Sequence, residues 1–124
     1  MRGRFRILCV DDDKTGLTIR TMLLEKFGYE VFPANTAPEA MSILASEHIN
    51  LAILDYYLGK TTGTELAASM KKRQPELRII LLSGITEEPE GLENVDQLMF
   101  KGAGPENLHA VVRSLTGEDS EKAA

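Results

Sequence analysis

Four apolar stretches of this sequence run straight into groups that can do chemistry. Arg6-Ile7-Leu8-Cys9-Val10 ends in Asp11-Asp12-Asp13, Asn50-Leu51-Ala52-Ile53-Leu54 ends in Asp55, Leu77 to Leu82 ends in Ser83-Gly84, and Val95 to Phe100 ends at Lys101. The first three have the length and near-continuous hydrophobicity of strands buried on both faces, and Val95 to Phe100 reads as a fifth strand. The C-terminal ends of such strands share one rim of an open parallel sheet, and that rim is where ligands bind. Asp11, Asp12 and Asp55 converging there repel one another, so the arrangement calls for a hard cation with oxygen ligands. Magnesium suits it, because it keeps several waters and takes one or two carboxylates together with a phosphate oxygen. The Ser83 hydroxyl and the Lys101 ammonium complete the surroundings of a phosphate. A carboxylate can itself be the nucleophile, by forming an acyl phosphate.

Helical patterns between the strands supply what must position these groups. Lys14 to Phe27 places Leu17, Thr21, Leu24 and Phe27 on one face, thickened by Met22 and Leu23, with Gly28 as the stop. Tyr29 to Pro33 reads as a second strand at a sheet edge, where proline is tolerated. Thr36-Ala37-Pro38-Glu39 has capping-box spacing and opens a helix striped by Ala37, Ala40, Met41, Leu44 and Ala45. A third helix, Thr64 to Lys72, buries Leu66, Ala67 and Met70 and is closed by Pro75. Ile85 to Asn94 holds a proline, a glycine and four glutamates, which predicts a stunted helix at most. Gly104-Pro105-Glu106 starts the last helix, with Leu108, Val111, Val112 and Leu115 inward. Strands alternating with helices predict an α/β fold with a doubly wound five-stranded parallel sheet and helices on both faces, the fourth helix short or irregular.

At 124 residues the chain is read as a single domain, residues 1–124, with a core over about 6–115 and a polar tail over 116–124. Lys and Arg are outnumbered 14 to 19 by Asp and Glu, which argues against direct nucleic-acid binding. No apolar run is long enough for a bilayer, and Ile7 to Val10 is too short for a signal-peptide core, so no membrane association is expected and a cytoplasmic protein is. The lone Cys9, inside an apolar run, reads as a small buried hydrophobe.

Taken singly, several of these residues have plainer readings. Asp13 and Asp12 stand where helix N-caps stand. Ser83 could be a loop serine and Lys101 a solvated lysine. His48 and His109 have no partner at ligand or relay spacing and are given no role. It is the combination, one group at each strand end, that specifies a site.

From Arg6 to Leu115 these residues resemble the receiver domain of two-component response regulators. The matching motifs are Ile7 to Asp13, the Leu51-Ala52-Ile53-Leu54-Asp55 strand with Gly63 closing its loop, Ile79 to Gly84, and Lys101 before the last helix. The resemblance implies a flavodoxin-like sheet of strand order 2-1-3-4-5. It implies that Asp55 is phosphorylated by a sensor histidine kinase or phosphotransfer protein. By the same likeness Asp12, Asp55 and the backbone carbonyl of Tyr57 bind Mg2+ directly, Asp11 acts through water, and Ser83 and Lys101 each bind a phosphoryl oxygen. The protein would then be a signalling receiver that assists its own phosphorylation and dephosphorylation. It would act on a downstream protein partner, with a homodimer among the assemblies the family forms. Three departures stand out: Leu98 where the family carries an aromatic, Gly102 in place of the proline after the lysine, which would loosen the approach of Lys101, and a shortened segment between Ser83 and Lys101. The alternative is a haloacid-dehalogenase-like phosphatase, with Asp11 as nucleophile and Asp13 as acid in Asp11-Asp12-Asp13-Lys14-Thr15. That reading leaves Asp55 without a task.

Overall fold

Runs of four to six residues become the strands of the main sheet, and the periodic segments between most of them become the crossovers. The computed structural model describes residues 4–84 and 86–117. In chain order the elements are β1 (Arg6–Val10), α1 (Lys14–Lys26), β2 (Glu30–Ala34), α2 (Ala37–Ser46), β3 (Leu51–Asp55), the short strands β4 (Tyr57–Leu58) and β5 (Thr61–Thr62), α3 (Gly63–Arg73), β6 (Arg78–Ser83), a 3-10 turn (Leu92–Asn94), β7 (Gln97–Phe100) and α4 (Pro105–Thr116). The main sheet has five strands in the order β2-β1-β3-β6-β7, all parallel. This is the doubly wound sheet that the alternation of elements predicts. Of the tail expected over 116–124, Thr116 ends α4 and Gly117 caps it, and 118–124 lie outside the described residues.

Successive residues of each strand face opposite sides, so the sheet carries a core on each face. Leu8, Val10, Ala52, Leu54, Ile79 and Leu81 pack toward Ala40 and Leu44 of α2 and Leu66, Ala67 and Met70 of α3. Ile7, Cys9, Leu51, Ile53, Ile80 and Leu82 pack toward Leu17 and Leu24 of α1 and Leu108 and Val112 of α4. Covering both faces is what makes the central strands apolar throughout.

Local chemistry sets the helix starts. Asp13 caps α1 by accepting from the Gly16 N–H at 3.2 Å. Thr36 Oγ1 caps α2, while Glu39 Oε1 reaches past it to the Asn35 N–H at 2.7 Å. The expected capping box is therefore shifted by one residue on its return arm. Three expectations need correction. Met22 is 63% exposed, because it sits two residues from Leu24 and so roughly 200° around the helix. The second strand runs Glu30–Ala34, one residue later than expected. The last strand begins at Gln97, after Asp96 has turned its carboxylate to the Ile79 N–H at 2.8 Å and to Lys71 at 3.0 Å. Between β6 and β7 the described residues form only the single 3-10 turn, as the proline and glutamates predict.

At the N-terminal rim of the sheet, Arg6 gathers three strands. Its N–H donates to Asn50 Oδ1 at 2.8 Å, its Nε donates to the His48 carbonyl at 2.7 Å, and its guanidinium pairs with Glu30 and Glu47. The same guanidinium lies 4.8 Å from the centre of the Phe32 ring.

Candidate functional site

At the opposite rim, the ends of β1 and β3 bring Asp11, Asp12 and Asp55 together. One carboxylate oxygen from each lies within 4.8 Å of the others. Asp11 and Asp55 are buried and Asp12 is exposed. Such a set of hard oxygen donors fits magnesium. Lys101 arrives from the end of β7, where its N–H donates to the Ser83 carbonyl at 3.0 Å. Its Nζ is 3.0 Å from Asp55 Oδ1 and 4.0 Å from Asp11 Oδ2. Gly102 therefore does not loosen this approach, since the lysine is positioned by strand pairing that precedes the glycine.

Charge at the rim is unevenly balanced. Burial pushes the Asp55 carboxyl up, the Lys101 hydrogen bond pulls it down, and repulsion from Asp11 adds to the rise, leaving it near 6 against an ordinary 3.8. Burial works against the Lys101 charge, yet Asp55 and Asp11 outweigh it and hold its pKa above the ordinary value. A carboxyl that grips its proton more tightly when folded contributes stability below its unfolded pKa and loses it as pH rises through the folded one. The metal-free protein should accordingly lose about 2 kcal/mol between pH 4 and pH 6 through this residue, a window set by the two values 3.8 and about 6. Urea unfolding across that range checks this: Asp55→Asn should flatten the slope, and parallel slopes for the two proteins would refute it.

Two residues that sequence reasoning passed over complete the site. Arg20 of α1 donates from Nη1 to Asp11 Oδ2 at 3.0 Å. Its signal was its place, three residues after Leu17 and four before Leu24, which puts a charge on the buried stripe. Glu87 accepts from Ser83 Oγ at 3.1 Å and from the Gly84 N–H at 2.6 Å. Ser83 sits buried at the rim as expected, but its hydroxyl is engaged by Glu87. Tyr57 follows in β4, its side chain half exposed and its ring 4.8 Å from that of Tyr56. Asp13 serves as the α1 cap. His109 stacks on Phe27 at 4.0 Å, a packing role.

The loop beyond Asp55 folds back through the β4/β5 hairpin onto Gly63, whose N–H donates to the Tyr56 carbonyl at 2.6 Å. A Cβ at Gly63 would collide with the Asp55 carbonyl and stand 2.6 Å from Leu81 Cδ1.

This rim has a family. The sequence profile of the response regulator receiver domain matches residues 7–113. The chain belongs to the response regulator receiver domain family. This receiver domain is 32% identical over 113 residues to a probable transcriptional regulator ycf27 of Porphyridium aerugineum, covering 89% of the chain and 47% of that protein. It is 31% identical over 114 residues to the alkaline phosphatase synthesis transcriptional regulatory protein PhoP of Bacillus subtilis, covering 89% and 48%. The chain thus spans about half the length of the curated relatives it matches. Among solved structures it is similar to the response regulator TrrA of Thermotoga maritima in complex with Mg(2+)-BeF, with TM-score 0.83, 27% identity and coverage of 90% and 98%. It is similar also to a receiver domain protein of Methanospirillum hungatei, with TM-score 0.81, 32% identity and coverage of 96% and 99%. Among the described residues no helix is long and apolar enough to cross a membrane.

Proposed function

We propose that this receiver domain is the phosphoacceptor of a two-component relay, with Asp55 receiving the phosphoryl group of a histidine kinase or phosphotransfer protein and a protein partner reading the result. The observation that carries this reading is the placement of Asp55: buried at the end of the central strand, 3.0 Å from Lys101, and within the oxygen cluster it forms with Asp11 and Asp12. An Asp55 oxygen forms the new bond to phosphorus while the donor's phosphorus–nitrogen bond breaks and the imidazole keeps the electron pair. Asp12, Asp55 and the Tyr57 carbonyl would hold Mg2+, with Asp11 acting through water. When bound, the ion offsets the negative charge of the carboxylates and the phosphoryl oxygens. Lys101 remains an ammonium and is placed for another phosphoryl oxygen. Positioning and charge neutralisation are what phosphoryl transfer most needs.

Incubation with magnesium and a small acyl phosphate tests the reading by intact mass. One added phosphoryl group is the expected result, and a wild type that binds magnesium yet never labels would overturn it.

The Ser83 hydroxyl faces Glu87 at 3.1 Å and the Gly84 carbonyl at 3.3 Å, so donating to a phosphoryl oxygen means turning away from both, and from the charged partner above all. Glu87→Ala should therefore speed labelling by about tenfold to a hundredfold, the scale of one charge-assisted hydrogen bond no longer broken on the way. The double variant Ser83→Ala/Glu87→Ala should show no such gain. Equal rates for Glu87→Ala and wild type in a mass time course would show that the contact does not restrain Ser83.

A further inference from the structure

We infer that Arg20 is a positioning residue which sets how tightly this receiver domain takes a divalent cation, by holding Asp11 as a built-in counter-ion. The inference rests on the receiver reading and concerns a residue outside the set that reading uses. Arg20 projects from the sheet-facing stripe of α1 between Leu17 and Leu24, and only 14% of its side chain is exposed. A guanidinium so enclosed needs a partner, and the structure supplies Asp11, itself 1% exposed.

The pairing leaves Asp11 fully engaged. Oδ1 accepts the Asp13 N–H at 3.0 Å, Oδ2 accepts Arg20 Nη1 at 3.0 Å, and Lys101 Nζ stands 4.0 Å from the same Oδ2.

Two cations thus face three carboxylates at the rim. An entering divalent ion meets a net charge of about one negative unit rather than two, and it meets an Asp11 already committed to an arginine. Arg20 therefore weakens metal binding while relieving the repulsion that the three acids would exert on the metal-free fold.

The test compares wild type, Arg20→Gln and Arg20→Lys by calorimetric titration with magnesium chloride and by thermal unfolding with and without the ion. Arg20→Gln should bind magnesium about tenfold more tightly, melt lower without metal and gain more from magnesium. Arg20→Lys keeps the charge and should stay within about threefold of wild type, which separates charge from packing. If Arg20→Gln melts below the titration temperature, its Kd follows from the rise of Tm with magnesium concentration, and the same outcomes decide. An Arg20→Gln protein with saturable binding no tighter than wild type overturns the assignment. A wild type that neither binds magnesium saturably nor accepts a phosphoryl group overturns the receiver reading instead.

Discussion

Asp55→Asn should take up no phosphoryl group on incubation with magnesium and an acyl phosphate, under conditions where the wild type is expected to take up one. The amide is nearly the same size as the carboxylate and sits in the same buried place at the end of β3, so the fold survives. On the proposed reading the substitution removes the nucleophilic oxygen together with one of three converging charges, and a drop of at least about a thousandfold in labelling rate is expected. Without metal near neutral pH the variant should be more stable than wild type by at most about 2 kcal/mol, since the buried, repelled charge is gone while its ion pair with Lys101 is lost. Asp11→Asn should label more slowly yet still label. Label kept by Asp55→Asn and lost in Asp11→Asn would instead make Asp11 the nucleophile, as in the phosphatase reading. The geometry disfavours that outcome, because both Asp11 oxygens are already engaged by Asp13 and Arg20.

Gly63→Ala has the largest expected effect on stability. Its added methyl would meet the Asp55 carbonyl and Leu81 Cδ1, and the carbonyl belongs to a backbone locked in the central sheet. Gly63 is the first residue of α3, where alanine's advantage as a helix former is small, so steric fit decides the sign. Overpacking against backbone makes it unfavourable, and a net loss of about 2–4 kcal/mol is expected in urea unfolding. Gly102→Ala is the internal control, since a Cβ there has open space within 4 Å, and it should change stability by less than about 0.5 kcal/mol. A Gly63→Ala protein as stable as this control would show that the loop after Asp55 can move aside.

Much of this site was legible because strand ends are legible. An apolar run followed by an acid states both that the acid is at a sheet edge and which edge it is, so Asp11, Asp12, Asp55, Ser83 and Lys101 could be placed before any geometry was known. The stunted segment after Ser83 was readable for a similar reason, since proline and clustered glutamates act locally. Arg20 and Glu87 were not readable in that way. A long charged side chain on an apolar stripe can turn its head toward solvent, so periodicity does not say that Arg20 folds inward onto Asp11. Glu87 acts through loop geometry around Gly84, which no repeat reports. The two-residue strands β4 and β5 are likewise too short to carry a pattern, although Gly59, at φ 77°, marks the turn between them.

Arg6 gives the molecule a division of labour along its length. Its contacts to Asn50, His48, Glu30 and Glu47 join β1, β2 and the approach to β3 at the end of the sheet remote from Asp55. The far end is thereby sutured by attraction, while the near end collects like charges that push apart. Opening should consequently begin at the acidic rim and travel toward Arg6, so that amides near Asp11 and Tyr56 exchange with solvent before those of Ile7 and Leu51. A sheet hinged in this manner can loosen at the chemical end while its strands keep their register.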